Sequence, residues 1–452
     1  MSNSNYVIDK KRNPFFTIIK IIVIVIILVL MVGLNNSVDT NNLCFANIIG
    51  LDKSQTIPSN LEVTFQLITP KLKDGNSVST ENKLVKVIDE NSLDLAVSDL
   101  QDYINSSIDF SNTNAIIISE DLAKEGVQRY ISNISSNLKY NNNMYILICE
   151  GKAKDFIKCL DKNDSINSVS YFDILKNAQK NSASIKFINI TEFSNLLFTS
   201  NSVPTAPICK VISENRDKNQ QKEQESDEKN KENESSSKDE SNSSNSNKSN
   251  SSNKDESKID IEVGGMAIFK DEKMIGKLSS DETAYYLMLT DYLDSYDTSL
   301  ELNELSDKSQ NNQSSSKNVE ISQTGKAKIK VDTKNDKPRI DITIPLNIII
   351  LDTPAGEYNY LDNNYISEIK KEVTEILDKK MKDYINKTQN EFDADINEFY
   401  KYCRKNFFTV KEYESYNFEE KYKDAKVNVK LNISFNDSGL NIEKKNKNVY
   451  FS

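Results

Sequence analysis

The chain opens its hydrophobic pattern with a run of twenty residues, Phe15 to Leu34, FFTIIKIIVIVIILVLMVGL, broken by one charge at Lys20. A helix of that length matches about 30 Å of bilayer hydrocarbon, so the run predicts a transmembrane anchor over 15–34. Lys20 lies near one end, where its ammonium reaches the headgroups. Lys10, Lys11 and Arg12 precede the run and Asp39 follows it. The positive-inside rule then makes residues 1–14 a cytoplasmic tail and puts the bulk of the chain outside. No A-x-A-like cleavage site follows, since the next residues are Asn35-Asn36-Ser37-Val38, and the span is expected to stay uncleaved.

After a tether over 35–44, the pattern switches between periods of two and 3.6. Leu61, Val63, Phe65 and Leu67 alternate with polar residues, a half-buried strand. Leu93, Val97, Leu100 and Ile104 share one helical face. Ala115 to Ile118 and Met144 to Cys149 are short apolar runs that read as buried strands. A helix opening at Ser119 carries Leu122, Val127, Tyr130 and Ile131, and another carries Ala153, Phe156, Ile157 and Leu160. Residues 45–212 therefore predict an α/β or α+β unit.

Residues 213–258 hold no apolar side chain, so they cannot bury enough surface to offset ordering and predict a disordered polar linker. A second polar linker is expected over 306–318. Between them, 259–305 read as two short strands and a helix near Asp281. In 319–452, Ala327, Ile329 and Val331 alternate with lysines, and Ile340, Ile342, Ile344, Leu346, Ile348 and Ile350 form a second alternation. Pro345 inside it suggests an edge strand or a bulge. A helix of roughly 28 residues follows, with Ile366, Ile369, Val373, Ile376, Leu377, Met381, Tyr384, Ile385 and Thr388 on one stripe; it would span about 40 Å. Val427 to Phe435 alternate again. The fold class expected is α+β: an N-terminal membrane-spanning helix, then about three sheet-and-helix domains, the last an antiparallel sheet with one long helix.

Composition narrows the function. The chain has no histidine and no tryptophan. Without histidine, Ser-His-Asp and Cys-His catalysis and most zinc hydrolase sites are excluded. Without tryptophan, a stacking site for sugars or bases is weakened. The net charge of -11 comes from interspersed charges with no basic stripe, which argues against nucleic acid as a partner. The five cysteines, Cys44, Cys149, Cys159, Cys209 and Cys403, are odd in number and lack CxxC spacing, and read as small buried apolar residues. No catalytic residue, cofactor or metal site is expected.

Four segments, in this order and spacing, resemble the Ger(x)C family, the C subunits of spore nutrient-germinant receptors. Ile48-Ile49-Gly50-Leu51-Asp52-Lys53 is similar to an early family strand. Phe110-Ser111 followed by AIIISEDLAKEGV, Ala115 to Val127, is similar to a family strand and helix. GMAIFKDEKMIGKL, Gly265 to Leu278, with Glu282-Thr283 beyond it, is the most specific and includes Phe269 and Gly276. The fourth runs from the long helix into Ala394-Asp395-Ile396, then Asp424 to Phe435 and Ser438-Gly439-Leu440. The motif residues so marked are Gly50, Asp52, Gly265, Phe269, Gly276, Glu282, Asp395 and Gly439. They are expected to be structural.

The resemblance implies a non-enzymatic subunit of a germinant receptor in the spore inner membrane, with A and B subunits as partners. It implies three α/β-type domains, and a small-molecule germinant held by a partner subunit. Family members are typically lipoproteins, whose acceptor cysteine should fall near position 34; here Leu34 stands there, so the uncleaved helix is expected to tether the chain alone. The family's "SH" pair is Ser111-Asn112, and its glycine-rich segment after Asp395 is Ile396-Asn397-Glu398-Phe399. Read alone, Gly50, Gly265 and Gly276 suggest turns and bulges. Asp52 suggests turn chemistry, and Asp393 with Asp395 a solvated or helix-ending pair rather than a carboxylate dyad. The alternatives are a stand-alone membrane-anchored binding or scaffold protein, and a carboxylate-dependent cell-wall hydrolase acting through Asp395.

Overall fold

The computed structural model describes residues 14–33, 43–73, 77–104, 106–163, 170–213, 259–303, 314–351 and 363–435. In chain order the elements are α1 (Pro14–Gly33), β1 (Leu43–Lys53), β2 (Leu61–Lys73), β3 (Ser77–Glu90), α2 (Leu93–Tyr103), β4 (Ser107–Asp109), β5 (Ala115–Ser119), α3 (Glu120–Glu125) and α4 (Gln128–Ser136). They continue with β6 (Tyr145–Glu150), α5 (Ala153–Lys162), α6 (Tyr171–Ser182), α7 (Ile190–Leu197), β7 (Thr205–Ser213), β8 (Ile259–Lys270), β9 (Lys273–Leu278) and α8 (Ser280–Leu289). The last are β10 (Ser295–Asn303), β11 (Ser314–Gln323), β12 (Lys328–Asp332), β13 (Arg339–Ile350), α9 (Asn363–Asn390), α10 (Tyr400–Arg404), α11 (Val410–Tyr416), α12 (Phe418–Tyr422) and β14 (Lys426–Phe435). The chain is mixed α+β.

The first sheet runs β3-β2-β1-β5-β6-β7-β8-β9, with β4 beside β1. Its centre, β1, β5, β6 and β7, is parallel. Antiparallel strands extend it on both flanks. Parallel strands are covered on both faces, which is why they read as continuous apolar runs. Ile116 and Ile118 join one core with α2, α3, α4 and α7, while Ala115 and Ile117 join the other with α5 and α6. The helix expected to run from Ser119 through Ile131 is two helices. Gly126, at φ +135°, breaks it between α3 and α4.

The second sheet runs β10-β11-β13-β12, with β14 also on β13. It is not wholly antiparallel as expected. β14 lies parallel to β13, Val427 beside Ile340, because α9 to α12 intervene and carry the chain back to the same end. Pro345 is on neither an edge strand nor a bulge. It sits where the neighbour of β13 changes from β12 (through Thr343) to β11 (from Leu346), so its missing N–H interrupts no ladder there. α8 is buried along Thr283 to Leu289, wedged between the β8–β9 hairpin and the second core. On α9, Val373, Leu377, Met381, Tyr384, Ile385 and Thr388 are buried as the stripe predicts.

About three sheet-bearing units are expected, and the described residues form two sheets. The middle segment divides between them, with β8 and β9 completing the first and β10 opening the second. Part of the expected 306–318 linker is strand, since Ser314 to Asn318 pair with β10. Backbone pairing does not depend on apolar side chains, so a polar edge segment escapes the hydrophobic pattern. The 213–258 linker, apart from Ser213 in β7, lies outside the described residues, as does Gly439. The side chains described in α1 are those of 18–27, all exposed. Among the described residues no helix is long and apolar enough to cross a membrane.

Candidate functional site

Gly276, Glu282 and Asp395 of the family motifs lie along one seam, where the end of α9 and the loop after it meet the β8–β9 hairpin. The hairpin starts at Gly265, whose φ is +81°; a Cβ there would stand 2.5 Å from the Leu278 carbonyl oxygen. Glycine supplies turn freedom at this position. A bulge between Ile268 and Phe269 follows, and Phe269 turns inward with its ring edge-on to Phe193, centroids 5.2 Å apart.

Gly276 pairs with Ile268 beside that bulge in the hairpin, and it also has a packing role. Its would-be Cβ lies 2.4 Å from Cε1 of Phe392, so the ring rests directly on the glycine backbone. Close approach, not unusual φ, demands glycine here. Glu282 closes a capping box with Ser279 at the start of α8. Its carboxylate also pairs with Lys387 of α9 at 2.9 Å, and the same ammonium donates to the Lys277 carbonyl at 3.0 Å. Farther along, the Lys270 ammonium donates to the Asp393 carbonyl at 2.9 Å. One helix end is thus pinned to one hairpin by two lysines and one ring.

Asp395 is not solvated. It is 5% exposed, and its Oδ2 accepts from the Tyr400 amide at 2.7 Å while Oδ1 has no partner. Burial drives its carboxyl up to about 7, against the opposing pull of the Tyr400 amide. Its exposed neighbour Asp393 has left-handed backbone, φ +49°, so the two carboxylates play separate parts. Close by, the Tyr384 hydroxyl donates to Asn397 Oδ1 at 2.6 Å, and Thr388 and Tyr422 share a 2.7 Å hydroxyl pair. Asp395 lines a cavity of about 230 Å³ with Phe198, Ser200, Ser202, Lys270 and Tyr400, where the first sheet's loop meets the second half. On the other side of the seam, Glu282, Tyr285, Asp383 and Lys387 line an open groove of about 530 Å³.

Gly50 and Asp52 lie elsewhere, under α5. A Cβ on Gly50 would stand 2.6 Å from Ile157 Cδ1, so this glycine too serves close packing rather than a turn. Asp52 is no turn residue. It is buried, and its two oxygens accept from the amides of Ala153 and Lys154, both at 2.8 Å, capping α5 across a hundred residues of chain. Desolvation raises its carboxyl nonetheless, against those two amides. All five cysteines are free thiols. Among the described residues no cluster of three or more acidic or cysteine side chains could hold a metal ion.

Sequence reasoning missed Lys387, Phe392, Lys270 and Asn397. A lysine in the last turn of a helix suggests only the dipole, and nothing local names Glu282 as its partner. The contacts that join the seam are ion pairs, carbonyl hydrogen bonds and ring packing, so its chemistry is that of a joint that fixes the long helix to the hairpin.

Two family models match the chain. The spore germination protein N-terminal domain covers residues 36–211, and the spore germination B3/GerAC like C-terminal domain covers 264–439. No curated protein matches. Among solved structures, the crystal structure of the GerBC protein is similar at 14% identity and a TM-score of 0.47, over 86% of this chain and 96% of that one.

Proposed function

Because the chain belongs to the Ger(x)C family of spore germination proteins, we propose that it is a non-enzymatic, membrane-anchored subunit of a nutrient-germinant receptor, assembled with A and B subunits in the spore inner membrane. Membership of the family carries the role in germination, and the observation behind it is the pair of family models matched in order along the chain. The finer reading has separate support. The anchor reading rests on the sequence run Phe15 to Leu34, twenty residues with one charge, Lys20, a length that suits about 30 Å of hydrocarbon. Leu34 stands where a lipid-acceptor cysteine would, so α1 does the tethering. The motif residues at the seam are committed to partners within the chain, and this suits a subunit that assembles or transmits. The germinant is then held by a partner.

The test is affinity purification of tagged protein from dormant-spore membranes, with co-purifying chains identified by mass spectrometry. Recovery of an A-type and a multi-pass B-type subunit is expected. Recovery of this chain alone, from an extract in which other receptors stay intact, refutes the assembly and favours the stand-alone binding protein. Intact mass showing a lipid adduct or a trimmed N-terminus refutes the uncleaved anchor.

A further inference from the structure

The parallel strands of the first sheet all begin at one edge, and the chain enters that edge from α1 at the start of β1. The nine residues 34–42 between α1 and β1 reach at most about 30 Å. Large exposed apolar side chains lie at this same edge. Leu138, 96% exposed, is in the loop leading into β6, and Phe198, 53% exposed, is in the loop leading into β7. The segment between α10 and α11 joins them: Tyr400 meets Ser202 at 3.3 Å, and a groove of about 720 Å³ is lined by Thr199, Asn201, Arg404 and Val410. It presents Phe408, 100% exposed, beside Val410 at 55%.

These tips are built, not frayed. Phe407 packs its ring against Tyr413 and Tyr416, the Phe408 amide donates to Glu412 at 3.1 Å, and Asn406 donates to the Val331 carbonyl at 2.8 Å. Leu138 is held out by a turn in which the Lys139 amide donates to the Asn137 side chain at 3.1 Å, over a buried Tyr140. The charge is equally local. Residues 401–411, KYCRKNFFTVK, carry Lys401, Arg404, Lys405 and Lys411 with no acidic residue, in a chain whose net charge is -11. Lys401 pairs with Glu398. Among the described residues Arg404, Lys405 and Lys411 make no ion pair, and all three are exposed. An exposed aromatic flanked in the chain by three exposed cations that make no ion pair among the described residues matches an anionic lipid surface: the ring enters the acyl boundary and the cations meet the headgroups.

We infer that this edge lies on the membrane, with Phe408 and Leu138 inserting at the interface and Arg404, Lys405 and Lys411 contacting anionic lipid headgroups. The contact orients the folded body that α1 only tethers. The inference rests on the reading of α1 as an anchor.

The chain has no tryptophan, so Phe408→Trp provides a single reporter in the full-length protein. Ile57→Trp, between β1 and β2 at the opposite edge and 50% exposed, is its comparison. Each is placed in nanodiscs of zwitterionic or mixed anionic lipid containing bromine-labelled acyl chains. The expected result is blue-shifted emission and quenching at position 408 in anionic discs, neither at 57, and loss of both in Arg404→Glu/Lys405→Glu/Lys411→Glu. Water-like emission at 408 in discs that co-elute with the chain overturns the edge alone. Quenching at 57, or a shift at 408 that requires added receptor subunits, also overturns it, the second by marking a protein interface. Failure to co-elute with discs refutes the anchor, and the inference with it.

Discussion

Replacing Gly276 by alanine tests whether the seam is held by close approach. The new methyl carbon would sit 2.4 Å from Phe392 Cε1 and 2.9 Å from Cδ1. Ordinary carbon contacts begin near 3.4 Å, so the ring must withdraw by about 1 Å. It has nowhere soft to go. Phe392 is 3% exposed, its amide donates to the Lys387 carbonyl at 3.2 Å, and the next carbonyl is held by Lys270. Overpacking of this kind costs about 1–3 kcal/mol. Alanine recovers about 0.5–1 kcal/mol by restricting the unfolded chain, leaving a net loss centred near about 1 kcal/mol and reaching about 2.5 kcal/mol at most. Urea unfolding followed by far-UV circular dichroism reads the loss. Phe392→Leu supplies the second arm of a double-mutant cycle, since it makes the room that the methyl needs. The double variant is expected to be at least about 1 kcal/mol more stable than the sum of the single losses. Additivity of the two, or a Gly276→Ala loss within about 0.5 kcal/mol of zero, refutes the close-approach account.

Two further perturbations follow from the buried carboxylates. Asp395 has a folded value of about 7 against about 3.9 unfolded, so between those pH values the folded state keeps a proton that the unfolded state has lost. The contribution of Asp395 to stability is then greatest below about pH 4, falls by up to about 4 kcal/mol as pH rises to 7, and is level above. Asp395→Asn should flatten the urea-midpoint profile across that window, and an unchanged slope counts against the assignment. Asp52→Ala strips the cap from α5 and strands the amides of Ala153 and Lys154. A loss of about 1–3 kcal/mol is expected, with hydrogen exchange accelerated first in α5; uniform acceleration elsewhere with α5 protected contradicts it.

Elements whose burial is one-sided or complete were legible in the sequence. The runs at Ala115 to Ile118 and Met144 to Cys149, and the stripe on the long helix from Val373 to Thr388, fall on buried positions apart from the half-buried Tyr145 and Ile376, because burial sets their period. The side chains of Ile366 and Ile369 lie outside those described. What the pattern could not carry is what depends on distant partners. Asp52 looks like a turn residue until α5 is laid on it, and Gly276 looks like a hairpin glycine until Phe392 arrives from more than a hundred residues away. The direction of β14 is set by the helices before it, not by its own alternation. The basic cluster at 401–411 is hidden by the net negative charge, and only the exposure of Phe408 separates it from an ordinary solvated face.

The two ends of the polar segment 214–258 are neighbours in the sheet, since Ser213 of β7 pairs with Ile259 of β8. Paired residues in such a ladder stand about 5 Å apart, so the fold asks only that the segment leave and return at one place. Closing a longer loop costs little, about 0.6 kcal/mol per doubling. The segment is therefore free to grow, shrink or change composition over generations without touching the core. The same geometry makes it a permissive point for inserting an affinity tag or splitting the chain.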